Sequence, residues 1–170
     1  VILSENVSNT VRTFVVPYTD EYFSEVVRQA VATETPKVFQ NGKFDIAYLL
    51  RFRSPVTNYL GDTINVFHSW YSELPKSLAQ ITSFCLRDWT YWKDESKAQL
   101  GSMDYYQYNA KDAFTTALCW IVLMLEAPEF ALENYLQEFP TVFPCILSEM
   151  TGIKIDSSRQ EIMKKEIVSN

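Results

Sequence analysis

Val38-Phe39-Gln40-Asn41-Gly42-Lys43-Phe44-Asp45-Ile46-Ala47-Tyr48-Leu49 passes from a buried strand, Lys37 to Gln40, through a tight turn into a helix with an acid in its first turn. Asn41-Gly42 suits the turn because both residue types tolerate positive φ at little cost. Phe44, Ala47, Tyr48 and Leu49 give the following segment an apolar helical face. The Asp45 carboxylate has two readings. It complements the positive end of the helix dipole, or, at an exposed strand-to-helix junction, it serves a metal ion or a substrate. Within this stretch alone the dipole role is the simpler one.

The surrounding chain has the makings of a core. Its 170 residues allow one compact domain, or one domain with an appendage. Hydrophobic residues make up 47% and aromatic ones 15%, far from a disordered composition. No repeat or low-complexity run interrupts it. Cys85, Cys119 and Cys145 match no zinc or C-x-x-C spacing and read as buried thiols in a reducing compartment. The net charge of −6 argues against unaided, non-specific binding to nucleic acid. That charge is uneven. Lys37, Lys43, Arg51 and Arg53 surround Asp45 with positive charge, whereas no Lys or Arg lies between Lys111 and Lys154. The longest apolar run, Ala113 to Leu125, is shorter than the roughly 20 residues of a membrane span and reads as a core helix. Val1-Ile2-Leu3 opens abruptly in strand-like sequence without an initiator methionine, as expected of a chain that starts inside a longer one.

Val1 to Ser4 and Val11 to Val16 read as a hairpin ended by Pro17. A helix capped by Thr19 or Asp20 follows to about Ala32, with Tyr22, Phe23, Val26, Val27, Ala30 and Val31 on its apolar face. The strand at Lys37 is expected to run parallel to an earlier one. Beyond the Asp45 helix, Asp62 to His68 reads as a short strand-like segment, and Pro75 and Ser77 introduce a helix with Leu78, Ile81 and Cys85. An aromatic loop (Trp89, Tyr91, Trp92, Lys93, Lys97) leads into a long helix from about Met103 to Leu125. Another helix spans about Pro128 to Phe139, and Pro140 and Pro144 break the stretch to Met150. Gly152 is a natural helix C-cap, and Arg159 to Val168 forms a charged last helix, an arm whose partner lies outside the chain.

Tyr108-Asn109-Ala110-Lys111-Asp112 is the second informative stretch. Tyr108 and Asp112 are four apart on a helix and project from one face. A phenol and a carboxylate placed together can orient a water and anchor an oxygen-loving cation. Alone, the pattern is common by chance.

Together the two stretches resemble a known pattern. Asn41-x-x-Phe44-Asp45 after a strand, followed by Tyr108-x-x-x-Asp112 on a long helix, resembles the second and third motifs of the DEDDy 3′–5′ exonucleases. Asp62-Thr63 followed by Leu74-Pro75-Lys76-Ser77-Leu78-Ala79 is similar to the connection between those motifs. The segment from Glu138 to Asp156 resembles the passage by which family A DNA polymerases leave the proofreading domain, although Glu149 here precedes Met150 rather than following it. The chain is therefore identified as resembling the proofreading region of a family A DNA polymerase, most like phage or organelle types.

The resemblance implies an α/β, ribonuclease H-like exonuclease fold, a mixed sheet flanked by helices and lacking its first strand. It implies a partial exonuclease domain over 1–126 and a helical segment over 127–170 that begins the polymerase domain. Asp45, Tyr108 and Asp112 would be catalytic. Asp45 and Asp112 would hold two Mg²⁺ (or Mn²⁺) ions, and Tyr108 would orient the attacking water. Asn41 and Lys43 would meet the substrate, a single-stranded DNA 3′ end. The remaining polymerase chain would be the partner, no membrane would be involved, and the setting would be the cytoplasm of a bacterial or phage-infected cell, or an organelle. One element is missing: the family's first motif, Asp-x-Glu, occurs nowhere in the sequence. Two aspartates supply few oxygens for ions that demand near-octahedral coordination, so the chain alone is expected to be inactive. The alternatives are a non-catalytic, nuclease-like DNA-binding or scaffold module of a polymerase and, less favoured, a ribonuclease D-like RNA exonuclease. His68 reads as structural or surface, and Asp62 as a cap or turn residue. Trp89, Tyr91 and Trp92 with Lys93 and Lys97 could stack on single-stranded DNA or could pack beneath a long loop.

Overall fold

A computed structural model of the protein describes residues 11–17, 22–88 and 91–168. Among them lie two strands and eight α-helices: α1 (Phe23–Ala32), β1 (Lys37–Phe39), α2 (Gly42–Arg51), β2 (Tyr59–Asp62), α3 (Thr63–Trp70), α4 (Leu78–Cys85), α5 (Met103–Glu126), α6 (Glu129–Glu138), α7 (Val142–Thr151) and α8 (Ser157–Val168). The architecture is α/β but mostly helical. β1 and β2 run parallel, with Lys37 opposite Tyr59 and Phe39 opposite Asp62, and α2 makes the crossover between them. The described sheet is thus parallel rather than the mixed sheet the sequence suggested. Residues 11–17, expected to hold the second strand of a hairpin, take no regular structure; Val1 to Ser4, the Thr19 or Asp20 cap and Trp89 lie outside the described residues.

Two other expectations need correction. Residues 63–68 continue as helix α3 rather than as strand. The β-branched residues Thr63, Ile64 and Val66 favour a strand by propensity. The Asp62 side chain, however, accepts from the Ile64 N–H and caps a helix whose buried residues, Thr63, Val66 and Phe67, share one face. Pro144 does not break its segment either. It falls in the first turn of α7, where a missing N–H leaves no intrahelical bond unmade. Gly152 follows α7 at φ +69 and ψ −177, a backbone region open essentially to glycine alone.

The core gathers where α3, α4, α5 and α6 meet: Val66 and Phe67, Ile81, Cys119 and Leu123, and Tyr135. Fully burying a large apolar side chain contributes about 1.5–3 kcal/mol, so this cluster fixes how α5 lies on the rest. Helix α5 also packs against the sheet. A Cβ at Gly61 would come within 2.2 Å of the Trp120 ring, so only glycine lets β2 approach the helix this closely. Helix α6 packs on α3, and α7 on α2. The exposed helix α8 carries Ile162, Met163 and Ile167 on its surface. Cys119 is buried, Cys85 half-buried and Cys145 exposed. No described helix is long and apolar enough to cross a membrane.

Candidate functional site

The turn after β1 is built around a buried carboxylate, Asp62. Asn41 takes the left-handed conformation (φ 62, ψ 43). Gly42 does not need positive φ; it is required because a Cβ there would lie 2.6 Å from the Phe39 Cβ. Asp62 Oδ1 accepts from the N–H groups of Asn41 (2.9 Å) and Ile64 (3.0 Å). Its Oδ2 accepts from the Gly42 N–H (2.5 Å) and the Tyr59 hydroxyl (2.9 Å). Loss of water raises the Asp62 carboxyl above the usual range, and these four donors work against that rise. Burial and the neighbouring Asp62 charge push Tyr59 up as well.

Asp45 stands one turn into α2. Its side chain reaches the surface, yet the protein packed behind it withdraws enough water to raise its pKa to about 6, with repulsion from Asp62 as the second cause. The Asp45 carboxylate therefore shares its field with Asp62, and the expected dipole-complementing role does not lower its pKa. Lys43 on the same helix forms an ion pair with Glu149 of α7 at 2.6 Å, which raises the lysine pKa. Asn41 is exposed and its backbone N–H is taken by Asp62.

Tyr108 and Asp112 meet as their spacing predicts, one turn apart on α5. A 3-10 turn, Lys93–Lys97, lies across them. The Lys93 ammonium donates to Asp112 Oδ1 at 2.6 Å and to the Tyr108 hydroxyl at 3.2 Å. The Trp92 indole N–H donates to the same Oδ1 at 2.7 Å. Lys111 and Glu95 pair next to them at 2.6 Å. Trp92 is only 3% exposed, so packing rather than stacking on DNA is its part; Tyr91, at 62%, remains on the surface. His68 is exposed in the last turn of α3. The sequence had marked Lys93 with its aromatic neighbours as a DNA contact or as part of a segment packed beneath a long loop. Its pairing with Asp112 depends on how the turn folds back on α5, and no spacing encodes that.

The two ions implied by the resemblance do not fit the described residues as they stand. Among these residues no group of three or more His, Cys, Asp or Glu side chains could hold a metal ion. Both lone-pair-bearing oxygens of Asp62 are taken up by the turn, and Asp112 Oδ1 already faces an ammonium and an indole N–H. No family model matches the chain, and no curated protein or solved structure matches it either.

Proposed function

We infer that this chain is the proofreading 3′–5′ exonuclease region of a family A DNA polymerase, a ribonuclease H-like domain that acts on the 3′ end of DNA once further carboxylates complete it. The observation that supports this reading is the pairing of Tyr108 and Asp112 on one face of α5, the helix that packs against β1. β1 runs through a fixed turn into the helix of Asp45, and α5, which packs against β1, presents Tyr108 and Asp112 side by side. A hydroxyl and a carboxylate on one helix face, with a lysine between them, suit a phosphodiester and an attacking water. The chain's own residues would orient that water through Tyr108 and receive the phosphate chain on the positive stretch around Lys37, Lys43, Arg51 and Arg53.

An apolar cavity adjoins β1. Its 660 Å³ lie between the end of α1, β1 and the middle of α5, lined by Val38, Ala113, Ala117, Trp120 and Ile121 among others. The hold of Lys93 and Trp92 on Asp112 favours a second reading, a non-catalytic nuclease-like module that serves the polymerase as a DNA-binding scaffold.

One experiment separates them. Mg²⁺-dependent release of nucleotides from single-stranded DNA is compared between the 170-residue chain and a chain extended ahead of residue 1 by a strand carrying an Asp-x-Glu motif. The nuclease reading expects release from the extended chain alone, from the 3′ end. A folded extended chain that binds DNA and releases nothing makes the scaffold reading the right one.

A further inference from the structure

Helices α4 and α5 pack together, and two thiols meet where they touch. Cys119 is wholly buried in the cluster with Val66, Phe67, Ile81, Leu123 and Tyr135. Cys85, the last residue of α4, packs against that cluster. The two thiols are hydrogen-bonded to each other, and the Thr82 hydroxyl lies 3.6 Å from Cys119 Sγ. Their surroundings are unequal. Cys85 is half-buried, whereas Cys119 has no exposed surface; the third cysteine, Cys145, lies exposed on α7. Donation to Cys119, with burial as the second cause, raises the Cys85 pKa. The same hydrogen bond lowers that of Cys119 against the opposing effect of its own burial. The pair therefore loses its first proton as a unit.

We propose that Cys85 and Cys119 form a dithiol oxidation site, which closes to an intramolecular disulfide with a small-molecule disulfide such as oxidised glutathione as the oxidant. Reach decides the order of events. Proton transfer from Cys85 to an ionised Cys119 places the thiolate on the sulfur that solvent reaches. Cys85 attacks one glutathione sulfur, the glutathione S–S bond breaks, and one glutathione leaves as a thiolate that takes up a proton. The buried Cys119 then gives up its proton and attacks the Cys85 sulfur, expelling the second glutathione thiolate, which is protonated in turn. Two protein thiols are oxidised by two electrons, and one small disulfide is reduced to two thiols. Because the fold already holds the sulfurs in contact, closure pays little of the loop entropy that an unfolded chain would lose. The closed loop runs over residues 86–118 and encloses the Lys93–Lys97 turn with Tyr108 and Asp112, so oxidation ties the end of α4 to the middle of α5 around that segment. The site stands whether or not Tyr108 and Asp112 serve a nuclease.

The test uses the 170-residue chain with Cys145→Ser, a change at an exposed position that leaves only these two thiols. The protein is equilibrated across a series of reduced-to-oxidised glutathione ratios, folded and in concentrated urea. Free thiols are alkylated, and cleavage at Lys and Arg then places the two cysteines on separate peptides for mass spectrometry. The folded protein is expected to reach half-oxidation, as a monomer with linked Cys85 and Cys119 peptides, at about tenfold less oxidised glutathione than the unfolded chain. Adding Cys119→Ala is expected to leave a lasting mixed disulfide with glutathione at Cys85. Adding Cys85→Ala instead is expected to give no adduct in the folded protein, because Cys119 is buried. Half-oxidation of the folded protein at the same ratio as the unfolded chain, or at a more oxidising one, overturns the proposal, as does a folded protein that stops at the mixed disulfide. The unsubstituted chain, cleaved further at Glu, gives a second measurement. Folded, it is expected to link Cys85 to Cys119, not Cys119 to Cys145, the shorter loop that an unfolded chain favours. A link to Cys145 in its place also overturns the proposal.

Discussion

Asp62 and Asp112 are both aspartates beside a tyrosine, and their surroundings could hardly differ more. Asp62 is 1% exposed and accepts four hydrogen bonds from three backbone N–H groups and the Tyr59 hydroxyl, all uncharged donors. Asp112 keeps nearly a third of its side chain open and is held by a lysine ammonium and an indole N–H on one oxygen. The first carboxylate closes a turn and starts a helix. The second stays accessible at the cost of a cationic partner. A buried acid satisfied on both oxygens is architecture; an acid held on one oxygen keeps its other side open to solvent.

Stability measurements should separate the two sharply. Asp62→Ala strands two N–H groups of the Asn41-Gly42 turn and uncaps α3, and is expected to lower the unfolding free energy by about 3 kcal/mol in urea denaturation. A loss under 1 kcal/mol would mean that the turn stands without Asp62 and the contrast with Asp112 fails. Gly61→Ala probes whether α5 fixes the strand that carries Asp62. Its added methyl must displace the Trp120 ring, with an expected cost of about 2 kcal/mol and a changed Trp120 near-ultraviolet signal.

Asp45 sharpens the comparison through pH. Its folded pKa is raised, so its ionisation weakens the folded state. That cost is full above about pH 6 and disappears as pH falls from about 6 toward the ordinary carboxylate value of 3.8. Asp45→Asn should therefore be more stable than the parent at pH 7.5, by about 1 kcal/mol once solvent screening of this exposed group is allowed for. The advantage should vanish near pH 4. An Asp45→Asn protein less stable than the parent at pH 7.5 would show that the carboxylate is held by a favourable partner after all. The smallest effect belongs to Asp112. Asp112→Asn is expected to change the unfolding free energy by less than about 1 kcal/mol, as for a partly exposed ion pair.

Much of the frame was legible in the sequence because it rests on local signals. Asn41-Gly42 marked the turn, Ser77 the cap of α4, and Pro128 and Gly152 the limits of α6 and α7. The segment after Asp62 misled because Thr63, Ile64 and Val66 satisfy strand propensity, while the cap that makes them helical is a single side chain. The supposed second hairpin strand, residues 11–17, has no regular partner among the described residues, and Phe14 is 82% exposed. Tyr108 and Asp112 were readable as a pair from a four-residue spacing. Lys93 and Trp92 were not, because they precede Asp112 by 19 and 20 residues through a turn whose path depends on tertiary packing. Gly42 was noticed for the wrong reason, since the pressure on it is the Phe39 side chain and not its backbone angle.

Nucleotide release by Asp112→Asn in the N-terminally extended chain tests the account most directly. The prediction is a loss of ~10³-fold in Mg²⁺-dependent release from a DNA 3′ end, with an unfolding free energy close to that of the unsubstituted extended chain. Release that survives Asp112→Asn, or that disappears only because the protein unfolds, would contradict the assignment of Asp112 to chemistry rather than to structure.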